Sequence, residues 1–354
     1  MLRKSNTCLW IAALYLAAAS FGQTYVLILP GNGIPSRVHP QSINNEGAIT
    51  GFFLQSGVGP QFGFVYEGGA ITSFRAGPPP LNETFAYSIN DAGAITGYYG
   101  PLLFPASTNS HGFVRGPAGN FATFDPPGSV STVALSINAG GAIVGYYNES
   151  NLLIHGFVRE PSGKITSLDP PGSISTKPVG INAHGIIAGS YSDINGMHGF
   201  VRGLWGTIES FDPPESTGTT VTGISANGTV TGSYQLADMT VHGFVRQADG
   251  TILSFDAPGS TGTFPTSIND DGAITGNYGD NTGSHGFVRL PEGTITSFDP
   301  PRFGPTFCGV IIPPDFTFFT TTYPTSINKE GVITGFCQNG GSASYPYSGW
   351  VRYP

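Results

Sequence analysis

Short apolar segments alternate with turn-forming residues along the whole chain. From residue 23 onward, no stretch longer than 12 residues (81–92) lacks both Gly and Pro. Because Gly and Pro cost about 1 and about 3 kcal/mol inside a helix, this spacing excludes long helices. The apolar segments are rich in Ile, Val, Phe and Tyr, which favours short β-strands. The pattern therefore predicts an all-β chain.

One unit of this pattern recurs along the sequence. An Ile-Asn pair, in which Ser replaces Asn once, marks seven copies, at Ile43, Ile89, Ile137, Ile181, Ile224, Ile268 and Ile327. The spacings run from 43 to 48 residues, with one longer gap of 59. A period in the forties is typical of propeller blades or helical arrays, and the Gly and Pro content excludes the arrays.

Each unit resolves into four strands. The first ends at the Ile-Asn pair, a turn such as Asn90 to Gly93 leads into a second strand with a central glycine, "HGFVR" is the third, and "ITSFD" or a relative is the fourth. Three hairpins in about 44 residues form an antiparallel meander. We therefore expect a seven-bladed β-propeller of four-stranded antiparallel blades.

The termini predict how such a ring closes. The "ITSFD" strand occurs only six times, because the last unit stops at Pro354, one strand short. Residues 24–31 ("TYVLILPG") precede the first Ile-Asn pair much as a fourth strand precedes the later ones. The N-terminal strand is therefore expected to complete the last blade.

Residues 1–22 have the features of a signal peptide. Arg3 and Lys4 precede the apolar run "CLWIAALYLAAA", and small residues follow it. The run is too short to favour a membrane anchor, and no later stretch approaches about 20 apolar residues. We expect residues 23–354 to form one exported domain, extracellular or periplasmic, without a membrane span.

The composition limits the classes of partner that the chain is expected to bind. Only 10% of residues are charged and the net charge is −8, so the chain offers no basic track for nucleic acid. Aromatic residues make up 12%, which a disordered chain would lack. We expect a monomer without a cofactor whose partner is an extracellular glycan or protein.

The motif set resembles the HAF-repeat family of extracellular bacterial proteins. The resemblance rests on "IN..G.I.G" followed by "HGFVR", a turn and another strand, and it covers essentially the whole exported part. In this chain Gly stands where the family triplet has Ala, and "DPPGS" follows the fourth strand. The resemblance implies a secreted, propeller-like fold and brings no activity with it.

A His and an Asp lie 14 residues apart in five units. The pairs are His111 and Asp125, His155 and Asp169, His198 and Asp212, His242 and Asp256, and His285 and Asp299. If Arg159 pairs with Ile165, each His faces its Asp across a hairpin. Five copies around a ring cannot converge on one substrate, and one His per blade lacks the ligands of a metal site. We therefore interpret them as structural pairs within blades buried on both sides, and predict neither a catalytic dyad nor a metal.

A binding site is expected where the repeat breaks. The long links between second and third strands belong to the first, second and last units, and the insertion before the last unit shares their face. Aromatic and off-repeat polar residues of this sector suit stacking on sugars or packing on a protein, but also mutual packing as a cap. The binding candidates are Arg37, His39, Glu83, Phe104, Arg302, Asp315, Phe316, Phe318, Tyr345 and Tyr347.

Two classes of function stay open. No catalytic or cofactor motif stands out, which favours a non-catalytic binding or surface-interaction module. The alternative is an extracellular polysaccharide hydrolase or lyase on the same scaffold. Export also favours a disulfide between Cys308 and Cys337, the two cysteines that remain after cleavage.

Overall fold

A computed structural model describes residues 18–20, 23–28, 37–54, 59–78, 82–101, 109–151, 153–300, 306–307, 310–311, 320–339 and 348–354. Within these ranges every regular element is a β-strand. In the same ranges, no helix has the length and apolarity needed to cross a membrane. The chain is all-β, as its Gly and Pro spacing predicts.

The strands follow the sequence repeat. β1 (Ala18–Ser20) and β2 (Gln23–Ile28) come first, and each unit then contributes consecutive strands. Unit 1 has β3 (Arg37–Ile43), β4 (Ile49–Leu54), β5 (Gln61–Glu67) and β6 (Ala70–Phe74). Unit 2 has β7 (Asn82–Ile89), β8 (Ile95–Pro101), β9 (His111–Arg115) and β10 (Phe121–Phe124). Unit 3 has β11 (Ser131–Ile137), β12 (Ile143–Asn148), β13 (Ile154–Arg159) and β14 (Ile165–Leu168).

The remaining units continue the order. Unit 4 has β15 (Ser175–Ile181), β16 (Ile187–Ser192), β17 (Met197–Arg202) and β18 (Ile208–Phe211). Unit 5 has β19 (Gly218–Ile224), β20 (Val230–Gln235), β21 (Val241–Arg246) and β22 (Ile252–Phe255). Unit 6 has β23 (Gly262–Ile268), β24 (Ile274–Asp280), β25 (Gly283–Arg289) and β26 (Ile295–Phe298). A small hairpin of β27 (Thr306–Phe307) and β28 (Val310–Ile311) precedes β29 (Thr320–Ile327), β30 (Ile333–Asn339) and β31 (Ser348–Tyr353) of unit 7.

Neighbouring strands within each unit pair antiparallel. In unit 3, for example, Gly145 lies opposite Ala134 on one side and Phe157 on the other. β2 pairs antiparallel with β31, with Val26 opposite Val351, and so adds a fourth strand to unit 7. β29 and β30 of unit 7 also contact β3 of unit 1.

The turns after the first strands have the predicted chemistry. The fourth turn residue is a glycine with positive φ, as at Gly93 (78°) and Gly228 (86°). The Asn90 side chain accepts a hydrogen bond from the Ala94 N–H at 2.9 Å, which closes the turn. Positive φ favours glycine, so the Asn…Gly spacing follows from the hairpin.

The core lies between successive units. The third strand supplies a large ring with no exposed surface in each unit, such as Phe157, Phe244 or Trp350. Each ring packs with the first and second strands of its own unit and with the fourth strand of the unit before. The third-strand arginines lie across the same boundary, with the Arg289 guanidinium carbon 4.9 Å from the Phe255 ring centroid.

Candidate functional site

A cavity of about 440 Å³ lies between the first strands of the units. Each first strand carries a β-bulge shortly before its Ile-Asn pair, as between Pro40 and Ser42. The residue that each bulge leaves unpaired lines this cavity: Gln41, Tyr87, Leu135, Val179, Thr222, Thr266 and Thr325. The bulges therefore direct one side chain per unit into this cavity, which forms a channel between the first strands.

The Ile-Asn pairs line a second cavity, of about 250 Å³. The Asn44 amide donates to the Asn90 carbonyl at 3.0 Å, and the same bond links the units that follow. The Asn328 amide donates to the Asn44 carbonyl at 3.1 Å, which joins unit 7 to unit 1. Ser225 has no side-chain amide, but the neighbouring Ala226 N–H donates to Asp270 at 2.9 Å, as the Asn45 N–H donates to Asp91 at 2.9 Å. The repeated asparagines thus serve the scaffold.

An aromatic band runs across the first and second strands of units 7, 1 and 2. Each ring contacts the next, with centroids between 4.7 and 5.8 Å apart. In order, the band consists of Tyr323, Phe336, His39, Phe52, Phe85, Tyr98 and Tyr87. Tyr87 also lines the channel between the first strands, so the band reaches the channel wall.

Units 4 and 5, on the opposite side of the channel, carry different side chains at the positions of the band. The strand register places Lys177 opposite Ser190 in unit 4 and Thr220 opposite Ser233 in unit 5, where unit 1 has His39 opposite Phe52. Equivalent backbone positions therefore carry stacked rings on one side and small polar or charged side chains on the other. The departure from the repeat lies in side chains, since the strand pairing is the same.

Burial keeps the band uncharged near neutral pH. Desolvation, reinforced by the nearby charge of Arg37, lowers the pKa of His39 to about 4. Desolvation raises the pKa of Tyr87 to about 12 and also raises that of Tyr98. Burial raises the pKa of Glu83 as well, and a backbone hydrogen bond from Gln61 partly opposes it. The band thus offers neutral aromatic faces with two hydroxyl groups and one carboxyl group nearby.

Only part of the predicted site lies among the described residues. Arg37 and His39 lie on β3, and Glu83 lies on β7 of the next unit. Seven candidates lie outside the described residues: Phe104, Arg302, Asp315, Phe316, Phe318, Tyr345 and Tyr347. The structure therefore brings His39 into the band and leaves these seven as predictions.

Most residues of the band were not among the candidates predicted from the sequence. Phe52, Tyr98 and Phe336 directly follow the second-strand glycine in their units. The equivalent residues elsewhere are Tyr146, Ser190, Ser233 and Asn277. This position is aromatic in units 7, 1, 2 and 3 and polar in units 4, 5 and 6. Aligning the seven repeats would have revealed this difference.

The five His–Asp pairs form hydrogen bonds between the imidazole Nδ1 and a carboxylate oxygen at 2.6 to 2.9 Å. In three pairs the other carboxylate oxygen accepts from a threonine of the next unit: Thr132, Thr219 and Thr322. Each such Asp therefore links a third strand to the next first strand.

One expectation about these pairs was wrong. The blades were expected to bury them, but the histidine side chains are 20 to 43% exposed and the aspartates 27 to 46%. The pairs lie at the ends of the third and fourth strands, where solvent reaches the sheet. The Nε2 atoms of His198, His242 and His285 have partners too, as in His242 with Thr240 at 2.9 Å. Within the described ranges, no three His, Cys, Asp or Glu residues cluster as metal ligands.

Cys337 on β30 is disulfide-bonded. Its predicted partner, Cys308, lies outside the described residues. The pairing of these two cysteines therefore stays a prediction.

Comparison with known proteins identifies the architecture. No family model and no curated protein matches this sequence. Among solved structures, an inactive variant of virginiamycin B lyase from Staphylococcus aureus, determined with quinupristin, aligns with a TM-score of 0.56 at 12% identity over 93% of this chain and 99% of that one. The β-propeller domain of the Trilobed protease from Pyrococcus furiosus, described as having an open velcro topology, aligns with a TM-score of 0.57 at 8% identity over 90% and 93%.

The chain has a β-propeller fold. A puromycin hydrolase variant also aligns, with a TM-score of 0.53 at 10% identity, covering 86% of this chain and 58% of that one. At these identities the alignments show the propeller fold alone. Propellers carry unrelated functions, so the function has to be argued from the site.

Proposed function

We propose that this exported propeller binds an extracellular glycan through its aromatic band and catalyses no reaction. The observation that carries the proposal is the band itself, seven contacting rings that extend from the channel wall at Tyr87 across units 2, 1 and 7. A scaffold repeat explains features that all units share. It does not explain why contacting rings form a continuous row across neighbouring units while units 4 and 5 have Ser190 and Ser233 at the position of Phe52.

The chemistry of the band favours a carbohydrate. Sugar rings present a face of C–H groups that packs on aromatic faces, and their hydroxyls need hydrogen-bond partners at the edge. The Tyr87 hydroxyl, which forms a hydrogen bond with that of Tyr98, and the Glu83 carboxyl group lie beside the rings and are polar groups of this kind. A protein partner is the other ligand class that aromatic surfaces of this kind bind.

The proposed architecture is a closed ring of seven blades in which β2 completes the last blade. Two contacts support closure: the β2–β31 pairing and the hydrogen bond from Asn328 to Asn44. Export of residues 23–354 after removal of a signal peptide, and membership of the HAF-repeat family, belong to the same proposal. They are supported by the N-terminal apolar run and the "HGFVR" repeats.

An extracellular hydrolase or lyase is the second candidate. It is favoured by the use of a propeller scaffold in virginiamycin B lyase. His39 and Glu83 are the described off-repeat groups that acid–base chemistry would use, because burial keeps His39 neutral and raises the pKa of Glu83. Release of a cleaved product that His39→Ala or Glu83→Gln abolishes would establish this candidate over the first.

The test is a carbohydrate microarray of neutral and acidic extracellular polysaccharides, probed with residues 23–354. Phe52→Ser introduces the residue that units 4 and 5 already have at this position, so the backbone tolerates it. We expect a loss of affinity of roughly tenfold or more, as for an aromatic residue at the centre of an interface. Phe336→Ser should have the same effect.

Trp205→Ser is the matched control. Trp205 is 95% exposed and lies in the turn between β17 and β18, at the end of the unit away from the band. Its loss removes an exposed ring without touching the band, so binding should be unchanged. Equal binding by folded Phe52→Ser, Phe336→Ser and wild-type protein would reject the band as the site.

A further inference from the structure

A third cavity, of about 230 Å³, lies between units 4 and 5 on the polar side of the channel. Its apolar wall includes Val179, Val221 and Met197. Ser190, Ser192 and Lys177 contribute polar groups. The cavity is smaller than the roughly 300–1,000 Å³ of pockets for drug-sized ligands, and its size suits one sugar residue.

Lys177 gives this cavity its charge. Its ammonium nitrogen lies 5.3 Å from the centroid of the Tyr146 ring. Lys177 forms no ion pair with any described residue, whereas Lys164 pairs with Glu160 at 3.7 Å. In a chain with a net charge of −8, an exposed ammonium group without an acidic neighbour in the described structure is a cation available to a ligand.

Tyr146 connects the cavity with the aromatic band. Tyr146 lies on β12 of unit 3, between the Lys177 strand and unit 2. It packs against the buried cluster that contains Phe85, Tyr98 and Val133. Lys177, Tyr146 and the band therefore follow one another around the channel mouth.

We infer that the glycan is acidic, and that a uronate residue occupies the cavity with its carboxylate on Lys177. This inference rests on the proposed glycan-binding function and names its ligand class. The ammonium group forms a charge-assisted hydrogen bond with the carboxylate. Ser190 and Ser192 contact the sugar hydroxyls, and the C–H face of the sugar packs on Met197 and the valines. Neighbouring sugars extend over Tyr146 towards the band.

The experiment uses oligomers of galacturonate, glucuronate and mannuronate, each with free carboxylates or as the methyl ester, beside neutral glucan and galactan oligomers. Titration calorimetry on residues 23–354 measures each affinity. We expect the free acid of at least one uronate to bind about tenfold more tightly than its ester, the effect of one hydrogen bond to a charged group. Added salt should reduce that preference.

Substitutions of Lys177 test whether this side chain causes the preference for the acid over the ester. Lys177→Met should abolish the preference for the acid over the ester, so that the two bind with similar affinity, and Lys177→Arg should largely retain the preference. Lys164→Met is the control, because it removes an equal charge outside the cavity.

The outcomes separate the two proposals. Equal affinities for acids and esters, or an acid preference that survives Lys177→Met, would overturn the inference and leave glycan binding intact. No binding of any acidic, esterified or neutral oligomer would reject glycan binding itself.

Discussion

His39 shows how one side chain couples the candidate site to stability. Its ring stacks on Phe52 at 5.1 Å and contacts Phe336 edge-on at 4.9 Å. Burial and Arg37 lower its pKa from 6.5 to about 4 in the folded protein. Between these values the unfolded chain binds the proton and the folded chain does not. Stability due to His39 is therefore present above pH 6.5 and is lost as the pH falls towards 4.

We predict that His39→Gln flattens the acid side of the stability profile. Between pH 7 and pH 5, His39 should account for a loss of unfolding free energy on the order of 2 kcal/mol in wild type. Denaturant titrations of both proteins at the two pH values measure it. His198 contributes with the opposite sign, because its hydrogen bond to Asp212 raises its pKa, but it is present in both proteins and cancels. Parallel profiles would contradict the buried, neutral state of His39.

The glycine in each second strand is required by a close approach of two backbones. A Cβ at Gly232 would overlap the Thr220 carbonyl oxygen and lie 2.9 Å from both the Val221 Cα and the Phe244 ring. Gly203 differs, since its added Cβ would meet nothing nearer than 3.9 Å.

Gly232→Ala should therefore lower the free energy of unfolding by about 1–3 kcal/mol or more, through overpacking against backbone that cannot yield. Gly203→Ala is the control and should change it little. Urea unfolding followed by circular dichroism gives both values. A Gly232→Ala protein as stable as Gly203→Ala would show that the strands do not approach as described.

At the scale of elements, an arginine over an aromatic ring holds the third strand to the previous unit in units 2, 3, 5, 6 and 7. The Arg289 side chain is buried, its Nε has no hydrogen-bond partner among the described residues, and its guanidinium lies over Phe255. Leu168 stands at the corresponding position before Arg202, and Arg202 forms no such contact with any described ring. Leu168 and Arg202 therefore serve as a control pair that lacks the contact between an arginine and an aromatic ring.

A double-mutant cycle with Phe255→Leu and Arg289→Met should give a coupling energy of about 1–2 kcal/mol, as for a desolvated cation–π contact. The equivalent cycle with Leu168→Ala and Arg202→Met should give a value near zero. Additive effects in the first cycle would show that the arginine is held by its aliphatic stem alone.

The N-terminal strand is the element on which ring closure depends. Deleting residues 24–28 removes β2 and leaves the backbone of β31 as an unpaired edge, which promotes association with other chains. We predict a lower melting temperature and oligomers in light scattering. A synthetic peptide of residues 23–28 should restore the melting temperature. A truncated protein that stays monomeric with an unchanged melting temperature would exclude this role.

At the scale of the whole molecule, the repeat made the fold predictable. Ile43, Asn44 and Gly47 carry a local signal, because turn chemistry and strand alternation need only a few neighbouring residues. The amide of Asn44 that reaches the next unit was not predictable in this way, since its acceptor lies 46 residues further along the chain.

From the sequence, the candidate site could be assigned to a group of neighbouring units but not to most of its residues. Irregular links identified the neighbourhood of units 7, 1 and 2, and His39 was found because it breaks the repeat. Phe52 and Phe85 were not found, because their contact at 5.0 Å depends on the bulged register of two first strands and on how the units pack. A bulge shifts side chains by one position, and its place in a strand is not evident from apolar alternation.

The most direct test of the central claim is hydroxyl-radical footprinting with mass spectrometry, on residues 23–354 with and without the polysaccharide that binds most tightly on the microarray. We predict that saturation with this polysaccharide protects Phe52, Tyr87, Tyr323 and Phe336 from oxidation, while oxidation of Trp205 is unchanged. Protection confined to residues outside the aromatic band, with these four oxidised equally in both samples, would contradict it.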